Sequence, residues 1–117
     1  MAHNQKIGRW GEDVAAAFLE KLGDEILEKN TRTRYGEIDL VTRRGGVTVF
    51  VEVKTRTTRS FGLPEEAITP RKQAHMLAAA AHYAAAHRID SWQVDVIAVE
   101  GRPGKEASIE HFENVLS

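Results

Sequence analysis

The stretch from Arg34 to Arg56 constrains the fold most. Two runs rich in Val, Ile, Leu and Thr flank Gly45-Gly46, and strong β-formers around a Gly-Gly pair specify a two-residue hairpin. Such a turn sets the register: Arg44 faces Val47, Val41 faces Phe50, Asp39 faces Glu52, and Glu37 faces Lys54. Side chains alternate along a strand, so Glu37, Asp39, Glu52 and Lys54 are expected on one face. Ile38, Leu40, Val47, Val49, Val51 and Val53 are expected on the other, as core. Directly opposed like charges destabilise a sheet. The pair Asp39 and Glu52 therefore calls for something positive between them, either a divalent metal ion or the Lys54 ammonium.

A chain of 117 residues suits one domain spanning 1–117, since a domain near this size buries roughly two-thirds of its unfolded surface. The absence of cysteine excludes a disulfide framework and a thiolate zinc site. The amino terminus Met-Ala-His-Asn-Gln-Lys lacks an apolar signal region, and no apolar run has transmembrane length. A soluble cytoplasmic protein without a membrane partner is expected. The net charge of −1 argues against a general polyanion binder, but the charge is unevenly spread. Residues 29–72 carry ten basic and five acidic residues, leaving +5; the rest carries six basic and twelve acidic, leaving −6. The basic excess surrounds the hairpin, where it suits local phosphate contact.

Ile7, Trp10, Val14, Phe18 and Leu22 recur at helical spacing and predict a first helix over 4–22, capped by Asn4 and ended by Gly23-Asp24. Gly8 and Gly11 inside it suggest close packing. Glu12 falls between Leu19 and Ala16, at the edge of the apolar side. A first strand is expected over 25–33. Thr55 to Gly62 is a polar, basic loop. Thr69-Pro70 opens a second helix as N-cap and first helical residue, running to about His87. Its predicted packing face is Ala74, Leu77, Ala78, Ala81, Ala84 and Ala85, with Gln73 at the edge. Lys72 stands near the helix start, where free amides favour anions. A fourth strand is expected over 91–99, parallel to the third, with Asp95 in a structural role, either as a strand-end residue or as a partner for a nearby Arg. A short edge strand is expected over 107–112. The histidines fit the helix surface better than a metal site, and the chain has no phosphate loop or nucleophile elbow.

An acid on strand two followed by Glu52-Val53-Lys54 on strand three resembles the spaced acid and Glu-x-Lys signature of restriction-endonuclease-like nucleases. Among these the archaeal Holliday-junction resolvases are functional relatives. The sequence resembles the YraN family of small bacterial proteins more closely. The motifs are Gly8-x-x-Gly11-Glu12, Asn30-x-Arg32, Gly36-Glu37-Ile38-Asp39-Leu40-Val41, Phe50-Val51-Glu52-Val53-Lys54-x-Arg56 and Phe61-Gly62. They continue with Lys72 and Asp95. The resemblance implies an α/β (α+β) restriction-endonuclease-like core, α-β-β-β-α-β, with a mixed central sheet and helices packed on it. It also implies catalytic Glu12, Asp39, Glu52 and Lys54. Asp39, Glu52 and the Val53 carbonyl would bind Mg²⁺ or Mn²⁺, hard cations that favour oxygen ligands. Glu12 would assist through a water or a second ion. Arg32, Arg34, Arg56, Arg59 and Lys72 are expected phosphate contacts, with Glu37 and Gln73 as accessories. The expected activity is metal-dependent endonucleolytic hydrolysis of nucleic acid, DNA by preference, with branched or structured DNA as a candidate substrate. By analogy with the resolvases, a homodimer is plausible. The alternative is a nuclease-like domain that binds nucleic acid or a partner without cutting, with Lys54 bridging Asp39 and Glu52.

Overall fold

A computed structural model describes residues 2–57 and 69–116. Its elements are α1 (Ala2–Lys21), β1 (Glu25–Thr33), β2 (Gly36–Arg44), β3 (Val47–Arg56), α2 (Pro70–Ala86), β4 (Trp92–Glu100) and β5 (Ser108–Leu116). The strands form one sheet in the order β1-β2-β3-β4-β5. β3 and β4 run parallel and the other neighbours antiparallel, which gives the expected mixed sheet. The chain crosses from β3 to β4 by way of α2, the connection a parallel pair needs. β5 is the expected edge strand, extended to nine residues. Among the described residues no helix is long and apolar enough to cross a membrane.

Two apolar clusters lie on the sheet. Leu40, Val49, Val51, Val53, Ile97 and Val99 pack with Ala15, Ala16 and Leu19 of α1. Val41, Phe50 and Val94 pack with Ala79, Ala80, Tyr83 and Ala84 of α2. Small residues at the centre of each helix face let its backbone lie close to the strands. A Cβ on Gly11 would fall 2.0 Å from Thr55 Oγ1, so glycine is required where α1 meets β3. The space beside Gly8 is open, and no close contact explains that residue.

α1 begins at Ala2, so the Asn4 backbone lies within the helix instead of capping it. Its end is as expected. Gly23 adopts φ +103°, while the N–H groups of Gly23 and Asp24 donate to Glu20 O and Leu19 O, both at 3.0 Å. This is the Schellman arrangement. Leu22, placed in the apolar stripe, is exposed, because Gly11, Ala15 and Leu19 form the centre of the buried face. At the start of α2, Thr69 Oγ1 accepts from the Lys72 N–H at 3.2 Å, and Pro70 opens the helix. The buried face of α2 differs from the expected one. Ala74, Ala81 and Ala85 face solvent, while Ala79, Ala80, Tyr83 and Ala84 are covered. Alanines ring this helix and give no contrast between faces; Tyr83 sets the orientation by stacking edge-on against Phe50.

Candidate active site at the open end of the hairpin

Near the turn the hairpin pairs as its sequence dictates, with Arg44 opposite Val47 and Val41 opposite Phe50. The ladder ends at Leu40 opposite Val51. The expected pairs Asp39–Glu52 and Glu37–Lys54 do not form as rungs. Asp39 Oδ2 instead accepts the Val53 N–H at 2.8 Å, so a side chain substitutes for the partner backbone. The alternation breaks here as well. Ile38, expected beside Leu40 on the α1 side, belongs to the cluster under α2. β2 thus leaves β3 at Asp39, and the opening brings acids from both helix-facing sides of the sheet together.

Carboxylate oxygens of Glu12, Glu37 and Asp39 all lie within 4.8 Å of one another. Glu12 comes from α1, set in place by the Gly11–Thr55 contact one residue earlier. Asn30 on β1 ties two of the acids together: its Nδ2 donates to Glu12 Oε1 at 2.9 Å and Glu37 Oε1 at 3.3 Å. Asn30 has φ 51°, a left-handed conformation that Asn tolerates better than most residues. No role for this residue follows from the sequence reading, although it stands in the Asn30-x-Arg32 motif. An Asn interrupting a strand run was the available signal.

Burial and the neighbouring Glu52 charge push the Asp39 carboxyl up to about 8, despite the Val53 hydrogen bond. Burial also raises Glu52, against the pull of Lys54. Lys54 Nζ stands 3.8 Å from Glu52 Oε2. Burial, opposed by Glu52 and reinforced by Lys72, lowers its pKa. Among the described residues Asp39 forms no ion pair, so Lys54 does not bridge Asp39 and Glu52 within salt-bridge distance.

A cleft of about 530 Å³ opens between β2, β3, β4 and the first half of α2, and its lining includes Glu37, Glu52, Lys54 and Lys72. Arg71 and His75, not foreseen as site residues, line it too. Arg32, exposed on β1, stands opposite Glu37 in the β1–β2 register. The Arg34 guanidinium lies 5.5 Å from the centre of the Tyr35 ring. Arg56, at the end of β3, accepts the Gly101 N–H on its carbonyl at 2.9 Å. Gln73 is partly buried on α2, its N–H donating to Thr69 O at 2.9 Å. None of these four is among the residues lining the cleft. Arg59 and the Phe61-Gly62 motif lie outside the described residues.

The oxygen-only donors Glu12, Glu37 and Asp39, with Glu52 beside them, fit a hard divalent cation better than a soft one. A bound cation would displace the Asp39 proton and offset the crowded negative charge. This is the chemistry of a nuclease-like protein with a potential metal-coordinating cluster, set on a restriction-endonuclease-like core. The chain belongs to the family described as Uncharacterised protein family UPF0102, also called YraN, whose model matches residues 11–99. A UPF0102 protein of Syntrophotalea carbinolica is 50% identical over 108 residues, covering 91% of this chain and 87% of the relative. One from Syntrophomonas wolfei is 54% identical over 80 residues, covering 68% and 70%. One from Rhodococcus opacus is 41% identical over 118 residues, covering 99% and 100%.

Proposed function

We propose that this protein is a divalent-metal-dependent endonuclease that hydrolyses phosphodiesters of nucleic acid, DNA by preference, in the cytoplasm. The observation that carries the reading is Asp39: a carboxylate held near three other acids, without an ion-pair partner among the described residues, and with its pKa raised to about 8. Carboxyls perturbed by burial together with a specific neighbouring charge are concentrated at functional sites. Asp39 and Glu52 would hold Mg²⁺ or Mn²⁺, with the Val53 carbonyl as a further oxygen donor and Glu12 and Glu37 completing the charge. When bound, the ion supplies Lewis acidity and lowers the pKa of water. Lys54 offsets negative charge developing at the phosphorus centre. Lys72, at the mouth of the cleft, holds the phosphate. Asn30 positions Glu12 and Glu37. Arg32, Arg34, Arg56 and Arg59 would contact phosphates farther along the strand, and Gln73 would support the α2 side of the site. A homodimer, presenting two such sites to a branched substrate, completes the reading.

Calorimetric titration of Mn²⁺ into wild type and Asp39→Asn tests the metal site without assuming a substrate. Saturable binding in wild type that disappears in the variant is expected. Cleavage of branched and flapped DNA is then assayed with the same pair. No metal binding and no cleavage in wild type would overturn the proposal in favour of a binding domain on a nuclease-like fold.

A further inference from the structure

The cleft is larger and more apolar than a phosphate and a cation require. Phe50 and Val94 form its floor, Met76 and Ala79 of α2 form one wall, and Ile38 stands opposite. Glu52, Lys54, Lys72 and Arg71 supply its charged edge. Tyr35 stands at the rim with 44% of its surface exposed. The Arg34 guanidinium lies over its ring, 5.5 Å from the centroid, and the His82 ring lies in a T-shaped arrangement with it, the centroids 5.7 Å apart. The site thus joins a cationic edge, a fixed exposed aromatic ring and an apolar recess. This is the chemistry that single-stranded nucleic acid recognises, with cations following the backbone and flat bases resting on aromatic faces.

A base can enter such a recess only when it is out of the double-helical stack. We infer that the cleft beneath α2 is a subsite for one unpaired nucleobase, stacked on Tyr35 beside the phosphate held by Lys54 and Lys72. The inference rests on the proposed nucleic-acid function and narrows its substrate to strands with at least one unpaired nucleotide at the cutting site. Continuous duplex would leave the recess empty and Tyr35 without a partner.

The test is fluorescence anisotropy of a labelled oligodeoxynucleotide in EDTA, with Asp39→Asn as the parent so that binding is read without cleavage. The single strand is compared with its own duplex. In the parent, the single strand should bind more tightly by roughly 5- to 100-fold, the range expected for one stacked base. Tyr35→Ala should remove most of that preference, and Tyr35→Trp should restore it. Met76→Trp, which fills the recess from its wall, should weaken single-strand binding while leaving duplex binding unchanged. Circular dichroism confirms that each variant folds. Equal affinity for both forms, or a preference unaffected by both Tyr35→Ala and Met76→Trp, would overturn the inference. Wild type that cleaves duplex as readily as single strand would overturn it and leave the nuclease reading intact. Single-strand binding through Tyr35 without cleavage by wild type would do the reverse.

Discussion

The sheet carries two groups of buried acids, and they are handled in opposite ways. At the hairpin-turn end, Asp24 and Asp95 have fully buried side chains, and Arg44 joins them. Its Nε and Nη2 donate to the two Asp24 oxygens at 2.7 and 2.9 Å, and its Nη1 donates to Asp95 at 3.2 Å and Glu113 at 2.8 Å. Thr42, Gln93, His111 and the Asn114 N–H complete the network. Burial alone would raise the Asp95 pKa, yet the Asn114, Gln93 and His111 hydrogen bonds and the Arg44 charge hold it below the usual carboxylate range. At the open end, Asp39 has one backbone N–H and a crowd of acids. Asp24 and Asp95 are fully buried, Asp39 and Glu52 partly so, and each group draws on several elements. One is neutralised by the chain itself; in the other, among the described residues, Asp39 forms no ion pair. Burial of an acid is therefore weak evidence of function by itself, and the absence of internal compensation is the discriminating observation.

Arg44→Met should separate the two groups most sharply. Removing one partner of a buried ion network costs about 3–5 kcal/mol, and urea unfolding should show a loss of that order. Equal stability of the variant would mean that Asp24 and Asp95 are less dependent on Arg44 than the geometry indicates.

Lys54→Ala should behave in the opposite way. Cleavage should fall by roughly 10²–10³-fold, as on loss of a transition-state charge partner, while the thermal midpoint stays near that of wild type and Mn²⁺ binding persists. Full activity in this variant would remove Lys54 from the mechanism.

Gly11→Ala tests how the open-end group is assembled. The added Cβ collides with Thr55, and overpacking costs about 1–3 kcal/mol. Mn²⁺ affinity should fall with stability, because Glu12 is displaced along with the helix. A variant with wild-type stability and affinity would show that α1 docks with more tolerance than the 2.0 Å approach implies.

The pH dependence of stability in EDTA gives the finest comparison. Between the ordinary carboxylate value of about 3.9 and its own value of about 8, Asp39 is protonated in the folded chain and ionised in the unfolded one. Its contribution is fully present below the lower value and is lost as pH rises toward the upper. The slope is at most about 1.4 kcal/mol per pH unit. Asp39→Asn should flatten it. Asp95 has the opposite sign, with a contribution present above the ordinary value and lost as pH falls below it. An unchanged slope in Asp39→Asn would place the proton on another group.

The contrast between the groups also shows what was legible in the sequence. Hydrophobic alternation and Gly45-Gly46 define the hairpin near its turn, and Asp39, Glu52 and Lys54 stand out as charges in apolar strands. The separation of the strands at Asp39 was not legible, because extending a register assumes backbone partners throughout, and here a carboxylate takes the place of one. An acid in an apolar strand points to a structural Asp95, at a strand end or beside an Arg, and the Arg44 contact settles it as the second. Its sharing of Arg44 with Asp24 does not follow from the sequence, since those residues meet only when the end of α1 folds over the sheet. The α2 face was misread because alanine distinguishes faces poorly. The Asn30 hydrogen bonds to Glu12 and Glu37 are not legible in the sequence, because they accompany a left-handed backbone conformation that no pattern of hydrophobicity reports.

The strand order β1-β2-β3-β4-β5 places β3, with Glu52 and Lys54, two strands from either edge. Amides in the centre of a sheet exchange with solvent deuterium only through large-scale opening, whereas edges and helix ends exchange through local fraying. Glu52 and Lys54 lie beyond the end of the β2–β3 ladder but pair with Val96 and Ala98 of β4, so their backbone is expected to exchange slowly. Tyr35, in the β1–β2 turn, and Lys72, in the first turn of α2, sit where exchange is expected to be fast. A deuterium-exchange map should thus divide the cleft between a rigid floor and a yielding rim, so that whatever enters it meets first the part that can adjust.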